Sequence, residues 1–140
     1  MYWKLEGNLL MVRLQTGEKI LEKLRDAAKS SRLISGVVLS GIGMLKEVEL
    51  GYFQNLEKGY QRHFIPFPCE LVSLSGNISK QEDDFNIHLH ACLIKPDGDS
   101  TGGHLFDGIV QYTNEIFILS LNQPLLRKKE DTGLYGLYFE

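Results

Sequence analysis

Alternating hydrophobic and polar positions dominate this chain and predict a protein built mainly from β-strands. Successive side chains of a strand point to opposite faces, so an apolar residue at every second position indicates one buried face. This pattern, together with β-branched residues, predicts strands over residues 2–14, 34–41, 45–54, 60–67, 70–79, 85–95, 105–113, 115–121 and 134–139. Pro66 and Pro68 stand at the end of the segment 60–67 and favour an edge strand or a loop over a central strand, because proline cannot donate to a ladder.

One segment follows a helical period instead. Its apolar residues are Ile20, Leu21, Leu24, Ala27 and Ala28. The spacing i, i+1, i+4, i+7, i+8 puts them on one stripe of an α-helix, with charged residues on the other side. We expect Thr16 to cap the start of this helix and Glu18 to lie in its first turn, where the helix dipole favours an acid.

Strands that alternate and a single amphipathic helix predict an α+β fold. We expect a central, mostly antiparallel β-sheet of about seven strands with one packed helix. A length of 140 residues favours one domain over 1–140, because two cores of normal size do not fit. The segment 134–139 is apolar on both faces, so we expect a partner subunit to cover it.

Composition narrows the function classes. Hydrophobic residues make up 43% and charged residues 24%, as in ordinary soluble proteins. The net charge of −3 argues against general binding to nucleic acid, although Arg127, Lys128 and Lys129 form one basic run. The chain has no apolar run of about 20 residues and no secretory leader pattern, so we expect no membrane contact and a cytoplasmic protein.

The most distinctive chemistry lies in residues 87–105, which contain three of the four histidines. On a strand over 85–95, His88 and His90 point to the same face, about 6.6 to 6.8 Å apart along the strand. Two imidazoles at that spacing can lean together onto one metal ion. His104 follows a turn and a pair of glycines, which allow a close approach of backbones. We therefore take His88, His90 and His104 as candidate metal ligands. The alternative is that these histidines serve packing and hydrogen bonding.

Three imidazoles without a pair of thiolates favour zinc over nickel, copper or iron. Three neutral ligands leave a fourth position open, as in catalytic zinc sites. Cys92 lies on the same face but about 13 Å from His88, so it is a weak alternative ligand. His63 stands apart and is expected to be structural or exposed. Whether the protein is an enzyme stays open, because the sequence does not rank the possible carboxylate bases Glu70, Asp97, Asp99, Asp107 and Glu115.

Two other motifs are rejected. Residues 41–43 read Gly-Ile-Gly, which we interpret as a tight turn, but a dinucleotide loop would need glycine where Lys46 stands and a helix after it. Residues 97–102 imitate the start of a calcium loop, yet its twelfth position is Gly108 instead of glutamate. We expect Asp97 to stabilise a turn there through its side chain.

Four blocks in a fixed order resemble a known family. They are residues 38–43 (VLSGIG), 70–76 (ELVSLSG), 88–90 (HLH) and 102–105 (GGHL). They resemble the plant and prokaryote conserved (PPC) domain family, and the resemblance runs from the helix to about Glu115. It implies a compact α+β domain that forms a homotrimer, with His88, His90 and His104 matching the family's histidine motif.

The histidines and the resemblance together leave three hypotheses for the function. In plants the domain accompanies AT-hook motifs in DNA-binding proteins, whereas prokaryotic members consist of this domain alone. This chain contains no Arg-Gly-Arg-Pro segment of the plant type. The first hypothesis is a trimeric zinc-binding protein with a regulatory role. The alternatives are a regulator that associates with DNA or other regulatory proteins, and a metal-dependent enzyme acting on a small anion.

Overall fold

The computed structural model describes residues 1–139 and shows an antiparallel β-structure with one helix. The strands are β1 (Tyr2–Glu6), β2 (Leu9–Gln15), β3 (Ser35–Asn55), β4 (Gly59–Ile65), β5 (Cys69–Gln81), β6 (Asp84–Ile94), β7 (Ser100–Leu121), β8 (Leu126–Lys129) and β9 (Tyr135–Tyr138), and the helix is α1 (Ile20–Ser30). The α+β prediction with a seven-stranded sheet and one helix is confirmed. Within residues 1–139, α1 is too short and too polar to cross a bilayer.

The sheet closes on itself. Its strand order is β1-β2-β7-β6-β5-β3-β4, and β7 pairs in addition with β3. Strands β3, β5, β6 and β7 therefore form a ring in which each strand bonds to the next. Fully buried leucines from these strands belong to the core cluster: Leu45, Leu50, Leu71, Leu74, Leu89, Leu93 and Leu105. Strand β4 lies at the edge, as the two prolines predicted.

Two of the predicted strand ends are wrong because long strands run through them. Residues 41–43 do not turn but lie inside β3. Gly43 has φ of 142°, and a Cβ there would collide with the carbonyl oxygen of Thr113 on β7. Likewise Asn114 does not divide β7 but is buried within it, where its amide donates to the carbonyl oxygen of Met44 at 3.1 Å.

The start of the chain also differs from the prediction. Residues 2–14 form two strands, β1 and β2, which pair as a hairpin around Gly7 with φ of 60°. The helix begins at Ile20, and Thr16 is not its cap. The Thr16 hydroxyl instead accepts a hydrogen bond from the amide of Tyr112 at 3.0 Å, because β7 passes beside it. Glu18 lies before the helix and pairs with the amino group of Met1 at 2.6 Å.

The buried face of α1 agrees with the predicted stripe. Ile20, Leu24, Ala27 and Ala28 are buried, and Leu21 packs against the core from a partly exposed position. The opposite face of the helix reaches the β5–β6 turn, where Arg25 and Lys29 pair with Asp84 at 3.3 and 3.0 Å. These ion pairs connect the helix to the start of β6.

The last strands form a separate hairpin beside the ring. Strand β9 pairs antiparallel with β8, so Leu126 lies opposite Tyr138 and Lys129 lies opposite Tyr135. The side chains of Tyr135 and Tyr138 remain exposed. Strand β8 also places Arg127 against β5, where its guanidinium bonds the side chains of Asn77 and Ser79. The hairpin therefore lies beside the part of the ring that carries the histidines.

Candidate metal centre

The three candidate histidines lie on two neighbouring strands of the ring. His88 and His90 lie on β6, and His104 on β7 is the direct ladder partner of His90. Ile87 and Leu89 point to the other face and are buried in the core. The alternation predicted for β6 is therefore present. The register of the β6–β7 ladder places His104 beside the two histidines of β6.

Glycines allow the strands to meet closely at this point. A Cβ on Gly102 would lie 2.6 Å from the carbonyl oxygen of Ala91 on β6. A Cβ on Gly103 would lie 2.6 Å from the carbonyl oxygen of Gly51 on β3, and its φ of 150° is one that other residues rarely adopt. The pair of glycines before His104 thus lets β7 pass tightly between β6 and β3, as the sequence suggested.

The three imidazole rings form a compact triangle. The centroid of the His88 ring is 5.2 Å from that of His90 and 5.1 Å from that of His104, and the third distance is 5.6 Å. One ligand atom from each ring lies within 4.8 Å of the other two. In residues 1–139 no other group of three or more His, Cys, Asp or Glu side chains is gathered in this way.

Aromatic side chains line one side of the triangle. The rings of Tyr60 and Phe106 lie 5.0 and 4.6 Å from the His104 ring, measured between centroids. The guanidinium of Arg62 stacks on Phe106 at 3.8 Å and pairs with Glu49 at 2.8 Å. This wall of Tyr60 and Phe106 restricts the orientation of the His104 ring. The positive charge of Arg62 is compensated by Glu49.

Arg127 lies on the other side, and it is the site residue that the sequence did not identify. Its guanidinium donates to the Ser79 hydroxyl at 3.0 Å, the Asn77 side-chain oxygen at 2.7 Å and the Tyr135 carbonyl oxygen at 2.9 Å. Its Nη2 is also 3.3 Å from Nδ1 of His88. In the sequence Arg127 is only one member of a basic run, whereas in the fold β8 directs its side chain towards the histidines.

Burial and positive neighbours keep two of the rings neutral. Burial, and then the charges of His104, Arg127 and His90, lower the pKa of His88 from 6.5 to about 4. Burial, and then the charges of His90 and Arg62, lower the pKa of His104. Neutral imidazole is the form that binds a metal ion.

A buried nitrogen without a partner gives a test of the fit to a metal ion. Nδ1 of His104 is buried and has no hydrogen-bond partner among residues 1–139. Buried polar atoms are nearly always satisfied, and a bound ion is one recognised reason for an apparent exception. The unsatisfied nitrogen and the set of three imidazoles both fit a borderline divalent ion such as Zn²⁺.

The other candidates lie elsewhere. His63 is exposed on β4, as expected, and Cys92 does not join the histidine group. Asp97 accepts a hydrogen bond from the amide of Asp99 at 3.0 Å, so its expected role in the turn is confirmed. The acids Glu70, Asp97, Asp99, Asp107 and Glu115 are likewise outside the group, as far as residues 1–139 show. None of these five is singled out as a catalytic base.

A cavity of about 310 Å³ opens beside the triangle. The residues that line it are Tyr60, Asn86, Ile87, His88, His104, Arg127, Leu134 and Tyr135. Two of the three histidines thus face a space large enough for a small molecule. The C-terminal hairpin supplies part of the cavity wall through Arg127 and Tyr135.

Comparison with protein families gives one match over most of the chain. Residues 4–122 match the model of the Plants and Prokaryotes Conserved domain. Among curated proteins, the bifunctional protein GlmU of Synechococcus sp. strain JA-3-3Ab is 28% identical over 132 residues. That stretch is 92% of this chain but 20% of GlmU, so the chain spans about a fifth of the length of this relative.

Solved structures share the whole fold. A Pyrococcus horikoshii plant- and prokaryote-conserved protein is 29% identical, with a TM-score of 0.84 over 99% of this chain and 95% of that one. A metal-containing protein of Archaeoglobus fulgidus is 28% identical, with a TM-score of 0.86 over 99% of both chains. A Bacteroides thetaiotaomicron protein, called a "putative dna binding protein", is 27% identical, with a TM-score of 0.92 over 99% and 96%.

Proposed function

This chain belongs to the Plants and Prokaryotes Conserved domain family, and from its histidine triangle we propose that it is a metal-binding protein. His88, His90 and His104 would each supply one imidazole nitrogen to a single ion. The observation that carries this proposal is that one ligand atom of each ring lies within 4.8 Å of the others, with Nδ1 of His104 buried and unsatisfied. The metal-containing relative from Archaeoglobus fulgidus supports it.

Zinc is the ion that we propose. Three imidazoles without a carboxylate or a thiolate suit Zn²⁺, and three protein ligands leave one position for water or another ligand. An ion bound in this way supplies Lewis-acid chemistry at its open position. The protein's own part is to favour the neutral form of the His88 and His104 rings and to orient the triangle by the β6–β7 ladder and the wall of Tyr60 and Phe106.

The same proposal includes a homotrimer made of single domains that span 1–140. Strand β3 pairs with both β5 and β7, and apolar side chains on these three strands are exposed: Leu39, Ile42, Val72 and Phe117. An apolar face across neighbouring strands is typical of a subunit interface. Cytoplasmic location and a regulatory role complete the proposal, and the free thiols of Cys69 and Cys92 are compatible with a reducing compartment.

Association with DNA is the second candidate, and the name of the Bacteroides relative favours it. Lys129 is exposed on β8 and would contribute to a basic surface repeated in an oligomer. Arg127 adds little to such a surface, because its guanidinium is held by Asn77, Ser79 and the Tyr135 carbonyl. Binding to duplex DNA that weakens steeply with salt would support this candidate.

Elemental analysis of protein purified without a histidine tag tests the metal-binding proposal. We expect close to one ion per chain in the wild type and a large loss in His90→Ala. His63→Ala is the matched control, because His63 is exposed on β4 and lies outside the triangle. It should keep the wild-type metal content. Equal metal content in His90→Ala and the wild type would contradict the proposal.

A further inference from the structure

The charge of Arg127 has no acidic partner in the described structure. The groups that accept its hydrogen bonds are all neutral: Ser79, Asn77, the Tyr135 carbonyl and His88. No ion pair formed within residues 1–139 includes it. A divalent ion on three neutral histidines would add two further positive charges beside it. Partly buried positive charge without a carboxylate favours binding of an anion.

The contact between Arg127 and His88 shows how such an anion would be held. Arginine has only donors, so Nδ1 of His88 must accept the hydrogen bond from Nη2, and a neutral ring then carries its proton on Nε2. A metal ion on Nδ1 would replace the arginine donor. An ion on Nε2 would require the proton on Nδ1, where it would repel Nη2. Either way, metal binding by His88 frees one N–H of Arg127, and this half-buried group then needs another acceptor.

Space for that acceptor exists next to both groups. The cavity of about 310 Å³ is lined by His88, His104 and Arg127 together. A second, outer cleft of about 670 Å³ shares Arg127 and also has Lys80 and Lys128 in its wall, with Glu82 as its one acid. The cleft and the cavity share Asn86, Arg127 and Tyr135 in their walls, so the basic side chains of the cleft lie near the cavity that holds His88 and His104.

We propose that the histidine triangle and Arg127 together bind a small oxyanion, either a carboxylate or a phosphate. This inference rests on the proposed metal binding. One oxygen of the anion takes the position that the three histidines leave open, and another oxygen accepts the N–H of Arg127 that His88 has released. Arg127 is thus a binding residue, and its planar guanidinium suits the two oxygens of an oxyanion.

Cobalt provides a direct readout of this binding. Co²⁺ in place of the native ion has a visible absorption spectrum that changes when an anion enters the open position. Tag-free, Co²⁺-loaded protein would be titrated with acetate as the carboxylate probe and methylphosphonate as the phosphate probe. We expect a saturable spectral change for at least one probe, and the tighter probe assigns the class of anion.

Variants of Arg127 then test its role. Arg127→Met should keep the Co²⁺ spectrum but weaken anion binding about tenfold or more, as expected for the loss of a charge-assisted hydrogen bond. Lys129→Met removes the same charge from an exposed neighbour on β8 and should bind the anion like the wild type. Arg127→Lys keeps a charge but not the planar donor pair, so we expect an intermediate affinity; it also carries the test if Arg127→Met does not fold.

The outcomes separate the two proposals. If wild-type protein takes up no Co²⁺, the metal proposal fails and this inference fails with it. If Co²⁺ binds but neither probe changes the spectrum, the anion site is overturned while metal binding stands. The same holds if the Arg127 variant that folds binds the probe as tightly as the wild type does.

Discussion

His90 and His104 lie directly opposite each other in the β6–β7 ladder, with their ring centroids 5.6 Å apart. This pairing joins two segments that a turn and two glycines separate along the chain. His88, two positions before His90 on β6, completes the triangle on the same face. The site therefore depends on strand register, because a shift of one residue would send His104 to the other face.

Metal binding should stabilise the folded protein. A ligand that binds only the native state adds about 2.7 kcal/mol to the free energy of unfolding at a concentration of 100 times its Kd. We expect Zn²⁺ to raise the urea midpoint of wild-type protein that was first stripped with a chelator. His104→Ala should lose this increase, whereas His63→Ala should keep it. A Zn²⁺ effect of equal size in His104→Ala would mean that the ion binds elsewhere.

Gly103→Ala should destabilise the fold by about 2 kcal/mol or more, because strain in the backbone adds to a collision with the carbonyl oxygen of Gly51. The measurement is the free energy of unfolding in urea. Gly98→Ala is the matched control: Gly98 has φ of 87°, but nothing lies within 4 Å of a Cβ there. The Gly98→Ala substitution should lower the free energy of unfolding by only about 1 kcal/mol, because only its backbone conformation is unfavourable. Equal losses in the two variants would show that the close approach to β3 is not important.

Local patterns in the sequence were sufficient to predict which face of a helix or strand is buried, but not where the long strands begin and end. The stripe of α1 and the alternation of β6 depend on neighbouring residues, and both are found as predicted. The lengths of β3 and β7 depend on partners far away in the chain. Strand β3 pairs first with β5 and then with β4, so it continues through Gly43, where the sequence indicated a turn.

The same distinction applies to the site. The spacing of His88 and His90 is local, so the sequence could place them on one face. Arg127 contacts His88 across 39 positions of the chain, through a hairpin that pairs with no strand of the main sheet. No short-range period encodes such a contact. The basic run around Arg127 predicted a positive charge but not its position. That position depends on how β8 packs against β5.

Leu39→Glu should break the proposed trimer. Leu39 is an exposed side chain of β3, at 53% of its full accessibility, and a buried carboxylate in an apolar interface is unfavourable. Light scattering after size-exclusion chromatography should give the mass of a trimer for the wild type and of a monomer for the variant. Leu56→Glu is the control, since Leu56 is 62% exposed in the turn between β3 and β4 and is not one of the four side chains of the proposed interface. A monomeric wild type would contradict the trimer.

Acid should destabilise the metal-free protein through His88. Its pKa is lowered from 6.5 to about 4, by burial first and then by the charges of His104, Arg127 and His90. Between these two values the unfolded chain binds a proton that the folded protein does not bind, so the free energy of unfolding falls as the pH is lowered. His88→Asn keeps an acceptor for Arg127 but does not titrate, so its stability should fall less between pH 6.5 and 5. Urea denaturation at several pH values measures both slopes. Parallel slopes for His88→Asn and the wild type would show that His88 is protonated equally in the folded and unfolded states.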